Sequence, residues 1–151
     1  MHFLNLKAIA PMIFLAMPIF AADKTTALPQ TQTAQNDSGK IELTSITRAN
    51  GTLMVQFKYA NTTEKRIAVS EIAGVAAPAT RVYLLDNVNR KRYLVIHDER
   101  GRAICSEGRL LLAAGAESAC WSRFAAPPPD VKTVSVVIPG AVPFENVPIS
   151  D

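Results

Sequence analysis

An all-β, antiparallel sandwich of about seven to nine short strands is the fold this chain predicts, and three observations carry it. Apolar residues recur with the two-residue period of a strand, and turn-forming residues interrupt the chain at short intervals. No segment of useful length carries the apolar period of an amphipathic helix, so strands do not alternate with helices as a parallel sheet would require. A closed barrel is the second architecture that fits the same strands.

The start of the chain stands apart from that pattern. Lys7 leads into an apolar run from Ala8 to Phe20 that ends in Ala21-Ala22 before Asp23. A basic segment, a short apolar stretch and a small-residue cleavage point make a secretory signal peptide over residues 1–22. A membrane span needs about 20 apolar residues, and this run is shorter and broken by Pro11 and Pro18, so no stable span is expected after cleavage. Ile19 or Phe20 is bulky for the third position before a cut, which leaves cleavage after Ala21 or after Ala22 open. The mature protein is expected to be periplasmic or secreted.

Removing the leader leaves about 130 residues, one domain's worth, and lowers the formal net charge from +3 to +2 because Lys7 leaves with it. That balance points away from nucleic acid. Residues 23–40 are Thr, Gln, Ala and Asn with almost nothing apolar, which predicts a flexible linker ahead of a domain over 41–150.

Ile41, Leu43 and Ile46 mark the first strand, with a break in register near Ser45. Leu53, Val55, Phe57 and Tyr59 alternate with Thr52, Met54, Gln56 and Lys58, which predicts a strand with one buried face. Asn50-Gly51 between the two is a type I′ hairpin turn, since both residues tolerate positive φ. Arg66 to Ser70 reads as a short strand, and the Ala-rich Glu71 to Thr80 as a loop with at most one helical turn. Val82 to Asp86 and Lys91 to Ile96 flank the polar turn 87–90, and Asp98 to Gly101 is a second tight turn leading to Ala103, Ile104 and Cys105. Glu117 to Phe124 is a strand stopped by Pro127-Pro128-Pro129. Thr133 to Ile138 is the strongest strand signal, and Phe144 to Ile149 is a last edge strand.

The exported part holds two cysteines, Cys105 and Cys120. In an oxidising compartment such a pair reads as a disulfide, whose loop of about 15 residues would contribute about 3 kcal/mol in the chain-entropy model. A redox or metal pair has less to stand on, because no Cys-x-x-Cys spacing occurs and His97 is the one histidine near either thiol.

Phe57, Tyr59 and Asn61 at a strand end, and Val82, Tyr83, Leu84 and Asp86 entering a hairpin, form part of a longer pattern. It continues through Trp121, Phe124 and Pro127-Pro128 to Val134–Pro139 and Pro143–Ile149. This pattern resembles small bacterial extracellular immunoglobulin-like domains of the DUF4352 type. The resemblance covers roughly Ile41 to Ser150 and implies an immunoglobulin-like sandwich. It brings no catalytic motif to carry over.

Chemistry-bearing groups are sparse. His97-Asp98-Glu99 joins an imidazole to carboxylates, but a site there needs a further group from elsewhere, and Ser106, Ser118 or Ser122 could complete a triad without any being singled out. No Gly-x-Ser-x-Gly, phosphate loop or zinc spacing occurs, and Met54 is the one methionine after the leader. The expectation is no catalytic residue, no metal and no cofactor. Asn50 and Asn61 match the glycosylation pattern but suit a turn and a strand exit. Trp121 is expected to anchor the core between sheets.

Arg90, Lys91 and Arg92 cluster at a hairpin turn, with Arg100 and Arg102 at the next. They read either as an electropositive surface for acidic partners or as basic guards against edge-to-edge aggregation. The expected function is therefore a non-enzymatic binding module contacting a protein or an anionic cell-envelope component. The alternative is an accessory or inhibitor protein of a periplasmic enzyme or secretion assembly.

Overall fold

The computed structural model of the protein describes residues 27–151. The leader expected over 1–22 and the beginning of the expected linker lie outside the described residues. Eleven strands follow in chain order: β1 (Gln30–Thr33), β2 (Gly39–Ala49), β3 (Thr52–Asn61), β4 (Ile67–Ala68), β5 (Tyr83–Asp86), β6 (Lys91–Leu94), β7 (Cys105–Ser106), β8 (Leu111–Leu112), β9 (Glu117–Ala125), β10 (Thr133–Val137) and β11 (Phe144–Pro148). Among the described residues, helix is limited to α1 (Val69–Ala73) and a 3-10 turn, Pro78–Arg81. A five-stranded sheet, β1-β2-β3-β9-β7, and a four-stranded sheet, β11-β10-β5-β6, form an antiparallel β-sandwich, with β4 and β8 as a separate two-stranded ribbon. Neither sheet closes on itself, which sets the barrel aside.

The period-two pattern decides which side chains meet between the layers. Leu53, Val55, Phe57 and Tyr59 of β3 are buried with Ile41, Leu43 and Ile46 of β2 and Phe124 of β9. Leu84, Val134, Val136, Phe144 and Val147 enter the same core from the four-stranded sheet. Each such side chain contributes about 1.5–3 kcal/mol relative to exposure. Phe57 and Tyr59 meet edge to face at 5.8 Å, and the Tyr59 hydroxyl donates to the Pro139 carbonyl at 2.9 Å. Asn50 and Gly51 take φ of 50° and 73°, as the type I′ turn requires, and the register shifts between Leu43 and Ser45.

The expected linker over 23–40 is corrected over its second half. Gln30–Thr33 forms β1, paired residue by residue with Leu43–Lys40 of β2. A turn then closes with Ala34 N–H donating to Gly39 O at 2.8 Å. An edge strand satisfies its backbone through the ladder and needs no apolar side chains of its own, so a polar Gln-Thr repeat folds here without a hydrophobic signature. Likewise the strand expected over Arg66 to Ser70 stops at Ala68. There Glu71 turns back to accept the Ala68 N–H at 2.9 Å and starts α1.

The last residues extend the large sheet. Ser150 pairs with Thr47 in parallel, and Arg48 donates to the carbonyls of Val131 at 2.9 Å and Pro128 at 3.4 Å while pairing with Asp151 at 3.2 Å.

Candidate functional site

The basic residues grouped by the sequence are separated by the fold. Arg90, at φ 53°, ends a turn organised by Asp86, whose carboxylate is 1 % exposed. That carboxylate accepts from the Val88 and Asn89 amides at 3.0 Å and from the Asn89 side chain at 2.6 Å. Burial alone would raise the Asp86 pKa, but the Asn89 and Val88 hydrogen bonds and the nearby Lys91 charge lower it overall. Arg92 stacks over Tyr83 at 3.9 Å and Lys91 lies 5.4 Å from the Tyr93 ring centre. From Lys91 the chain runs extended through β6 and the bridges Val95–Phe124 and His97–Ala103. The second turn is therefore roughly 20 Å along the strand from the first. There Asp98 accepts the Arg100 and Arg102 amides, each at 2.9 Å, and pairs with the Arg102 guanidinium at 2.7 Å. The Arg102 hydrogen bonds hold the Asp98 carboxyl below the usual carboxylate range. Arg102 is thus spent on its own hairpin, and the five cations do not form one patch.

His97 lies exposed at the base of this hairpin. Two of the three serines that could have joined it are engaged elsewhere. Ser122 is buried and donates to Ala79 O at 2.7 Å, while Ser118 accepts the Arg109 amide at 2.7 Å. Asn61 is 1 % exposed with its amide nitrogen bonded to three carbonyls, so its match to a glycosylation pattern marks a structural residue.

The expected disulfide is corrected: Cys105 and Cys120 are both free thiols. The reason lies in the register, since Cys105 stands opposite Ser122 and Cys120 is its diagonal neighbour on the same face. The Cys120 sulfur is instead held by the Glu107 carbonyl at 3.1 Å. Burial, with the Glu107 charge and Cys105 nearby, pushes the Cys120 thiol up to about 11, and burial raises Cys105 as well. Both thiols are protonated and poor nucleophiles at neutral pH. Because the folded chain keeps a proton on Cys120 that the unfolded chain releases at about 8.5, stability is complete below that pH and falls as pH rises toward 11. The expected loss is on the order of 2 kcal/mol, read as a falling urea midpoint over that interval. Cys120→Ala should flatten this slope; an unchanged slope would refute the assignment.

The signal the sequence misassigned is Trp121. It is half-buried on the outer face of the large sheet, and the core position goes to Phe124. Residues three apart in a strand face opposite ways, so both could not enter the core. Trp121 sits opposite Gln56, which is opposite Ser45, while Ser106 flanks it on β7. The row Ser45–Gln56–Trp121–Ser106 therefore crosses four strands. Ser45 donates to Gln56 Oε1 at 2.7 Å, leaving the Gln56 amide nitrogen with no acceptor among the described residues. The register shift supplies an extra residue, Thr44, whose hydroxyl donates to Gln56 O at 2.9 Å. Beside the indole, small and exposed Ala119 opens a depression of about 420 Å³ lined by Thr44, Gln56, Lys58, Ala119 and Trp121 together with Phe57 and Cys120. Lys58 lies between Glu42 at 3.9 Å and Glu117 at 3.4 Å, so its charge is offset on the spot. Arg123 approaches the indole to 5.8 Å.

No protein-family model matches the chain, and no curated protein sequence matches it. Among solved structures, the crystal structure of the yjhA protein from Bacillus subtilis is similar over 72% of this chain and 76% of that one, at 13% identity and a TM-score of 0.46.

Proposed function

We propose that the protein is an exported, non-enzymatic binding module that contacts a cell-envelope component through the outer face of its five-stranded sheet. The observation that carries this reading is Trp121, a large apolar ring on the solvent side of a strand, beside a depression fringed by hydrogen-bonding groups. A ring in that position costs solubility and adds nothing to the core between the sheets, which makes recognition its most economical role. The export half rests on the leader at the start of the chain. The non-enzymatic half is supported by Ser118 and Ser122, whose hydroxyls are bound to backbone groups away from His97.

The alternative, an accessory or inhibitor protein that meets an acidic partner, rests on Arg90 and Lys91, exposed at the tip of the β5–β6 hairpin. A photoreactive benzophenone side chain placed in the native host at Ala119, and separately at Val88 of that hairpin, distinguishes the two. Adducts from position 119 alone are the expected result. Adducts from position 88 alone would transfer the function to the basic turn, and none from either would end the binding reading. The recovered protein should lack its first 21 or 22 residues by mass; an intact leader would overturn export.

A further inference from the structure

We propose that the ligand of this face is an uncharged glycan, with the Trp121 indole as the stacking wall and Ala119 as the floor on which a sugar ring rests. The inference depends on the outer face being the binding surface, and it adds the chemical class. Three observations select it.

The first is charge. Lys58 pairs with Glu42 and Glu117, and with Arg123 beside the indole these groups are two cations and two carboxylates, so together they offer no net attraction to a phosphate, sulfate or carboxylate. The second is the absence of an apolar surround. The large exposed apolar side chains of the described chain, Val88, Leu94, Leu110, Leu111 and Val142, all lie on other segments. A protein partner would need an apolar centre of several large exposed residues, and here the apolar neighbours of Trp121 on the face are the half-buried Met54 and Ile104, on either side of Arg123. The third is the mixture of polar groups around the ring. The free Gln56 amide and the Ser106 hydroxyl donate from either side of the ring, and the Glu42 and Glu117 carboxylates, one and two rows along the sheet, accept. Sugar hydroxyls both donate and accept. The C–H face of a pyranose is apolar and weakly positive, complementary to the negative face of an indole. A depression of about 420 Å³ falls within the range of small-molecule sites, large enough to seat a sugar ring.

Trp121 is the chain's one tryptophan, so its fluorescence reports the site directly. The mature chain is titrated with cellotetraose, with the tetramer of N-acetylglucosamine, and with a sulfated tetrasaccharide as the charged control. A saturable change with one neutral tetramer, unaltered between low and high salt, is expected. By calorimetry Trp121→Ala should weaken binding about tenfold or more and Gln56→Ala about threefold, while a charge-reversed Arg90→Glu, Lys91→Glu double variant binds as before. Unchanged urea midpoints in Trp121→Ala and Gln56→Ala show that the losses are not unfolding.

Neutral binding that survives Trp121→Ala would overturn the proposal, as would tighter, salt-dependent binding of the sulfated tetrasaccharide. If neither neutral tetramer binds up to millimolar concentration, the glycan assignment fails. The benzophenone adduct at position 119 then separates the two readings. A protease-sensitive adduct leaves the face as a protein-binding surface, and no adduct removes the face as well.

Discussion

Asn61→Ala is expected to destabilise the domain by about 3 kcal/mol, enough to lower Tm by roughly 10–15 °C. The Asn61 side chain closes the end of β3 to two separate segments. Its nitrogen donates to the carbonyls of Lys65 at 2.7 Å, Ala113 at 3.0 Å and Leu112 at 3.2 Å, and its oxygen accepts from the Thr63 amide at 2.9 Å and hydroxyl at 2.8 Å. Alanine leaves several of these groups without partners in a place water cannot reach, and the cost of such orphans exceeds the net worth of the bonds themselves. Asn61→Asp should be worse still, because a carboxylate would face three carbonyl oxygens. Urea denaturation of the two variants checks both statements; a loss below about 1 kcal/mol for alanine would show that water replaces the amide.

Gly108→Val should cost about 2–4 kcal/mol and expose a thiol at the same time. Gly108 has φ of +62°, and a Cβ there would stand 2.5 Å from Ser118 Oγ and within the contact radius of the Ala119 carbonyl. To make room the loop must lift from β9. That breaks the Arg109 amide bond to Ser118 at 2.7 Å and the Cys120 bond to Glu107 at 3.1 Å. The expected outcome is a lower urea midpoint together with a rise of about tenfold or more in the rate at which a thiol reagent labels Cys120 in the native protein. If stability falls while labelling stays slow, the loop does not guard that sulfur.

Much of the architecture could be read from side-chain period alone, since burying one face of a sheet writes alternation into the sequence. Leu53, Val55, Phe57 and Tyr59 show it, and Asn50-Gly51 announces the turn before them. The chain is opaque where backbone pairing does the work. β1 is held by the ladder of β2, and nothing in Gln-Thr-Gln-Thr distinguishes a paired edge from a solvated tail. The cysteine expectation failed on register: composition can pair two thiols, but only the ladder shows that Cys105 meets Ser122. The basic residues sit on two separate turns, because residues close in sequence across an extended segment are far apart in space. Trp121 was within reach of parity, once Phe124 is recognised as the residue whose size and phase match the buried face of β9.

The two ends of the described chain share a single neighbour. β1 covers β2 over Lys40–Leu43, and Ser150 covers it at Thr47, with the register shift between them. Head and tail thus lie nearly end to end along one strand, roughly 15 Å apart by strand rise. A handful of glycines could join them into a ring, and new ends could be opened at an exposed loop such as the one at Val88.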